Sequence, residues 1–132
     1  MDPEVLLQQL GELGKQLDTA TSELTRLDVV ATGASVHHAG LKKDLEKATA
    51  QAFLTCEGPM EVRKMQATLS TADLREDLQE AYAAAKTAES QVRNQQEVIR
   101  ALNRRIDIGR SLVSHQKTQM EMDGLPGPRW HS

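Results

Sequence analysis

Cys56-Glu57-Gly58-Pro59 is the stretch where one helix has to end and another has to begin. Gly58 accepts the left-handed backbone that closes a helix C-terminus, and Pro59 cannot prolong a helix but has the fixed φ that suits the start of the next one. Glu61 then falls in the first turn of the following helix, where a carboxylate meets the positive end of the macrodipole. The sequence therefore predicts a turn at Glu57, Gly58 and Pro59, with one arm over residues 3–56 and a second over 59–122.

Upstream of the turn, Leu6, Leu10, Leu13, Leu17, Ala20, Leu24, Leu27, Ala31 and Ala34 recur at alternating steps of four and three. After His38 the same frame runs through Leu41, Leu45, Ala48 and Ala52. A seven-residue repeat of this kind keeps one apolar seam facing a partner helix. Asp2 and Pro3 are the cap and first residue of that arm. The frame is weakest between Asp28 and Gly40: Val29, Val30 and Val36 leave the stripe, and Gly33 and Gly40 each cost about 1 kcal/mol of helix propensity. From sequence, a kink or short break there and a continuous arm both stay open.

Downstream, Leu74, Leu78, Ala81, Ala85, Ala88, Val92, Gln95, Ile99, Leu102, Ile106, Gly109 and Val113 hold the same frame. Ser70 and Asp73 have capping-box spacing, but the arm is read as one helix because Ser and Thr are also tolerated inside long helices. After Met122 the run Asp123-Gly124-Leu125-Pro126-Gly127-Pro128 breaks helix, so residues 123–132 are expected to form a flexible tail carrying Trp130 as an anchor for a partner. Two matched seams joined by a tight turn give an all-α fold, a long antiparallel helical hairpin of coiled-coil type.

Composition agrees. With one Phe, one Tyr and one Trp in 132 residues, and Leu, Ala and Val interleaved with Gln, Glu, Lys and Arg, the chain reads as long helices rather than a globule or a sheet. Such a hairpin buries one face of each arm, and ordering costs about 1 to 2 kcal/mol per residue of backbone, so self-association into a dimer or larger bundle is expected. Leu7 and Ile108, beside the seam, are expected to widen it toward a four-helix arrangement.

The net charge of −3 implies no polyanion or membrane partner by itself. Local balances are sharper. Between Lys86 and Thr118, seven cations (Lys86, Arg93, Arg100, Arg104, Arg105, Arg110 and Lys117) outnumber three acids by four. Folding about Gly58 lays this stretch along residues 1–28, where six acids outnumber Lys15 and Arg26 by four. Opposed charges of this kind choose orientation and register in paired helices. Arg93, Arg100, Arg104, Arg105 and Arg110 are also the candidate face for a protein partner or for phosphates, although no aromatic residues interleave them to stack on bases.

Nothing points to catalysis or a cofactor. The chain has no Walker loop, dinucleotide glycine motif or HExxH zinc helix, and thin helices supply no water-excluding pocket, so a small-molecule substrate is not expected. His37 and His38 point about 100° apart on a helix and do not chelate one ion together. Cys56 has no second cysteine to pair with and no local histidine to activate it. There is no signal-peptide pattern and no membrane-length apolar run, which leads to an expectation of a soluble, cytoplasmic protein.

The segment Lys47-Ala48-Thr49-Ala50-Gln51-Ala52-Phe53-Leu54, then Glu57-Gly58 and Glu61-Val62-Arg63-Lys64, resembles a pattern in small uncharacterised helical proteins of tailed bacteriophages. The likeness continues in Arg100-Ala101-Leu102 and Arg105-Ile106-Asp107-Ile108-Gly109-Arg110-Ser111-Leu112. Pro59 stands where that pattern has a small polar residue, a change the turn accommodates. Such proteins tend to be encoded near recombination, annealing or single-strand-binding functions. The resemblance therefore implies a non-enzymatic adaptor or accessory in phage DNA recombination or replication, working in the host cytoplasm through protein or weak nucleic-acid contacts. Two other roles fit a helical rod: a structural or assembly component of the virion, and an inhibitor bound to a host protein.

Overall fold

The computed structural model describes residues 2–124, and among them every regular element is helical. Helix α1 spans Pro3–Thr55, α2 spans Met60–Ser70 and α3 spans Ala72–Asp123. The fold is the expected all-α hairpin, with α1 as one arm and α2 followed by α3 as the other. Residues 125–132, which hold most of the expected tail and Trp130, lie outside the described residues; Asp123 is the last residue of α3, and the Gly124 amide donates to the Met120 carbonyl at 2.9 Å.

The caps follow the sequence closely. Asp2 Oδ1 accepts the Glu4 amide at 3.0 Å, satisfying one of the free donors at the start of α1. At the other end Gly58 has φ +116°, a conformation that costs glycine little and a side-chain-bearing residue much. Pro59, extended at φ −61° and ψ 156°, is the N-cap of α2 rather than its first helical residue. The turn therefore takes in Cys56 as well as Glu57, Gly58 and Pro59, because α1 stops at Thr55 and α2 starts at Met60.

Continuity through residues 28–40, open from sequence, is resolved, and the reading of the second arm as one helix is corrected. Helix α1 runs without a break through residues 28–40, since Ala31, Ala34, His38 and Leu41 keep the seam covered while Gly33 and Gly40 face outward. The second arm is not one helix. It is interrupted at Thr71, whose φ of −106° and ψ of 11° leave the helical region, and whose side chain is 2% exposed. The Thr71 hydroxyl donates to the Ala67 carbonyl at 2.7 Å and accepts Arg75 Nε at 3.2 Å. The Ser70 hydroxyl also donates back to Ala67, so the interruption is a threonine-centred C-cap and not a Ser70–Asp73 box.

The described residues divide into two compact units, residues 2–23 with 95–124, and residues 24–94. In the first, the arms run antiparallel. Gln95 Nε2 donates across to the Ala20 carbonyl at 2.9 Å. Gly109 faces Leu10 so closely that an added Cβ would lie 2.5 Å from its Cδ2. Leu6, Ala20, Leu102 and Ile106 are buried there; covering a leucine or isoleucine side chain contributes about 1.5 to 3 kcal/mol. In the second unit the buried apolar residues are mostly small: Leu27, Ala67, Ala81, Ala85 and Ala88. Its arms meet at His38 and Tyr82, whose rings lie 5.5 Å apart at 56°.

Candidate interaction surface

Every position assigned to the seam is buried or half-buried, so what remains for contact with other molecules is the outside of the arms. In the first unit the flanks of the seam differ. On one side, Val5, Gln9 and Glu12 of α1 and Arg105, Ile108 and Leu112 of α3 form the banks of a shallow groove floored by Leu6, Leu10, Leu13 and Gly109. On the other, Leu7 shares a hollow with Val113 and Met120, and Arg110 another with Gly11, Gly14 and Asp18. Helical geometry explains the split: Val5 and Leu7 stand about 100° to either side of Leu6. Leu7 and Ile108 therefore do not widen the seam together, but line opposite flanks.

The five candidate arginines are all exposed, yet they do not form one face. Arg105 and Arg110 line different grooves, and Arg93 belongs to the second unit. Arg100 pairs with Glu97, and Arg93 Nη2 lies 3.5 Å from the Ser90 hydroxyl. Arg104, Arg105 and Arg110 make no hydrogen bond or ion pair with the described residues. Lys15 pairs with Glu12 at 3.8 Å and Lys86 with Glu89 at 3.4 Å. Like Arg100–Glu97, these pairs join residues three apart on one helix and do not bridge the arms, and exposed pairs of this kind contribute only about 0 to 1 kcal/mol.

In the second unit, Lys86 Nζ sits 5.4 Å from the Tyr82 ring, adding a cation to the His38–Tyr82 contact. Beside the turn, the Arg63 guanidinium lies 5.7 Å from the Phe53 ring centroid. Val62, Met65 and Leu69 form an exposed stripe on the side of α2 away from buried Ala67. Cys56 is a half-buried free thiol. Among the described residues no three histidine, cysteine or acidic side chains gather into a metal-binding group, and no helix is long and apolar enough to cross a membrane.

Two seam positions, Ala67 and Thr71, are missing from the frame read in the sequence, and two others, Gln95 and Gly109, have roles that spacing does not reveal. Ala67 and Thr71 precede Leu74 and Leu78 by seven residues and so continue the frame, a signal hidden by their small or polar side chains. Gln95 and Gly109 were placed on the seam, but their roles, a hydrogen bond to the opposite backbone and a recess for Leu10, are visible only once the arms are paired. Compared with protein-family models, with curated proteins and with solved structures, the chain matches none of them.

Proposed function

We propose that the chain is a non-catalytic helical adaptor that works by protein–protein contact, with weak nucleic-acid contact secondary, in support of phage DNA recombination or replication. The observation that carries the contact reading is the flank of the first unit opposite the Arg105 groove, where Arg110 makes no hydrogen bond or ion pair with the described residues and Leu7 and Met120 are exposed. Cations left without a partner beside apolar side chains suit a protein interface, in which arginine and large apolar residues are enriched. The link to phage DNA metabolism rests on the sequence resemblance alone.

The test is affinity purification of the tagged chain from infected cells, alongside an Arg104→Glu/Arg110→Glu variant. The adaptor reading expects a phage or host protein to be retained by the wild type and lost from the variant. If the chain comes back alone, and instead shifts a labelled oligonucleotide with an affinity that falls by roughly 0.7 to 0.9 log units per phosphate contact for each tenfold rise in salt, the protein-contact reading is replaced by a nucleic-acid one. Recovery of the chain in purified virions would reassign it to particle structure.

A further inference from the structure

The groove between α1 and α3 in the first unit has a pattern on its banks that matches a second copy of itself. On α3, Val98, Ala101, Arg105, Ile108 and Leu112 repeat at three- and four-residue steps, forming a second stripe beside the seam. Val98, Ile108 and Leu112 are 47%, 61% and 46% exposed. On α1, Val5, Gln9, Glu12 and Gln16 repeat at four- and three-residue steps along the opposite bank, and Val5 is 40% exposed.

Residues that face each other across the seam have numbers summing to about 115 (Ala20 with Gln95) and 119 (Leu10 with Gly109). By that register Val5 stands level with Leu112, Gln9 with Ile108, and Glu12 with Arg105. The two stripes therefore carry one opposite charge each, at the same height. Yet among the described residues Arg105 makes no ion pair, and Glu12 pairs only with Lys15.

We infer that this groove is a homodimer interface in which two hairpins pack side by side about a two-fold axis parallel to the helices. The α1 stripe of each copy then lies on the α3 stripe of its partner, Val5 and Gln9 meet Leu112 and Ile108, and Glu12 meets Arg105 twice over. All four neighbouring helices are antiparallel, as in a four-helix bundle. The charges select this axis. A two-fold axis perpendicular to the helices would set α1 on α1 and α3 on α3, bringing Glu12 near Glu12 and Arg105 near Arg105 in this unit, and like charges at an interface are costly. The inference goes beyond the adaptor reading and does not depend on it.

The experiment is sedimentation equilibrium of the full chain with four variants, helicity being followed in parallel. The wild type should be a dimer at micromolar concentration. Glu12→Arg and Arg105→Glu should each raise the dimer Kd by about ten- to a hundredfold, because each replaces two attractive pairs with two repulsive ones. The Glu12→Arg/Arg105→Glu double variant should recover wild-type affinity. An equimolar mixture of the two single variants should form heterodimers of near wild-type affinity, a result that no effect inside one chain produces. Ile108→Asp should be monomeric with unchanged helicity. Single variants that dimerise as tightly as the wild type, or a wild type that is monomeric at high micromolar concentration, would overturn the inference. Neither result bears on partner capture from infected cells, so the two readings fail separately.

Discussion

The two units of this hairpin hold their arms together on the same seven-residue frame by opposite means. In the first, large side chains such as Leu6, Leu102 and Ile106 fill the seam, Leu10 enters the recess left by Gly109, and Gln95 ties its amide to the facing backbone. In the second, alanines dominate, with Ala81, Ala85 and Ala88 buried in succession. Small seam residues let helices approach closely and bury little area per residue, whereas large ones bury more and depend on matched shapes. A heptad pattern thus says where a seam runs. Its residue sizes say how that seam is specified.

Substitutions in each unit can break this contrast. The largest effect is expected for Leu102→Ala, which removes a buried large side chain from the first unit and should lower stability by about 2 to 3 kcal/mol in chemical denaturation. Next is Gly109→Leu, which crowds Leu10 and should cost about 1 to 3 kcal/mol; the cost should shrink when Leu10→Ala is added, a coupling that a double-mutant cycle would measure. Ala85→Leu probes the alanine seam of the second unit in the same way and should cost about 1 to 2 kcal/mol, with no single partner whose truncation restores it. Gln95→Ala, removing the hydrogen bond to Ala20, should cost about 1 kcal/mol. Smallest of all, Glu97→Gln should change stability by less than about 1 kcal/mol, since the pair with Arg100 is exposed and confined to one helix.

The seam was legible because burial alone dictates it: Leu6 through Ala52 and Leu74 through Val113 were named from spacing, and all are covered. Asp2 and Gly58 were legible for a different reason, as a free amide and a positive φ each demand a particular chemistry. What escaped was what depends on pairing. Gly33 and Gly40 left the path through residues 28–40 open because propensity is local, whereas α1 is continuous there with Ala31, Ala34, His38 and Leu41 on the seam. Thr71 is hidden because a threonine is tolerated inside a long helix, yet its hydroxyl accepts from Arg75 and donates to Ala67 where the backbone leaves the helical region. Leu7 and Ile108 both sit next to the seam in sequence, and only the antiparallel pairing assigns them to opposite flanks.

The most direct test of the hairpin itself is a distance between the arms. In a Cys56→Ser background, spin labels at Gln16→Cys and Ala101→Cys would occupy exposed positions on opposite arms of the first unit. Diluting the labelled chain into unlabelled chain confines the reading to one molecule. Paired helices have axes about 8 to 10 Å apart, so the labels should lie close enough for strong dipolar coupling. A chain that ran on as a straight helix would separate them by about 130 Å, and the absence of any short-distance coupling would contradict the account.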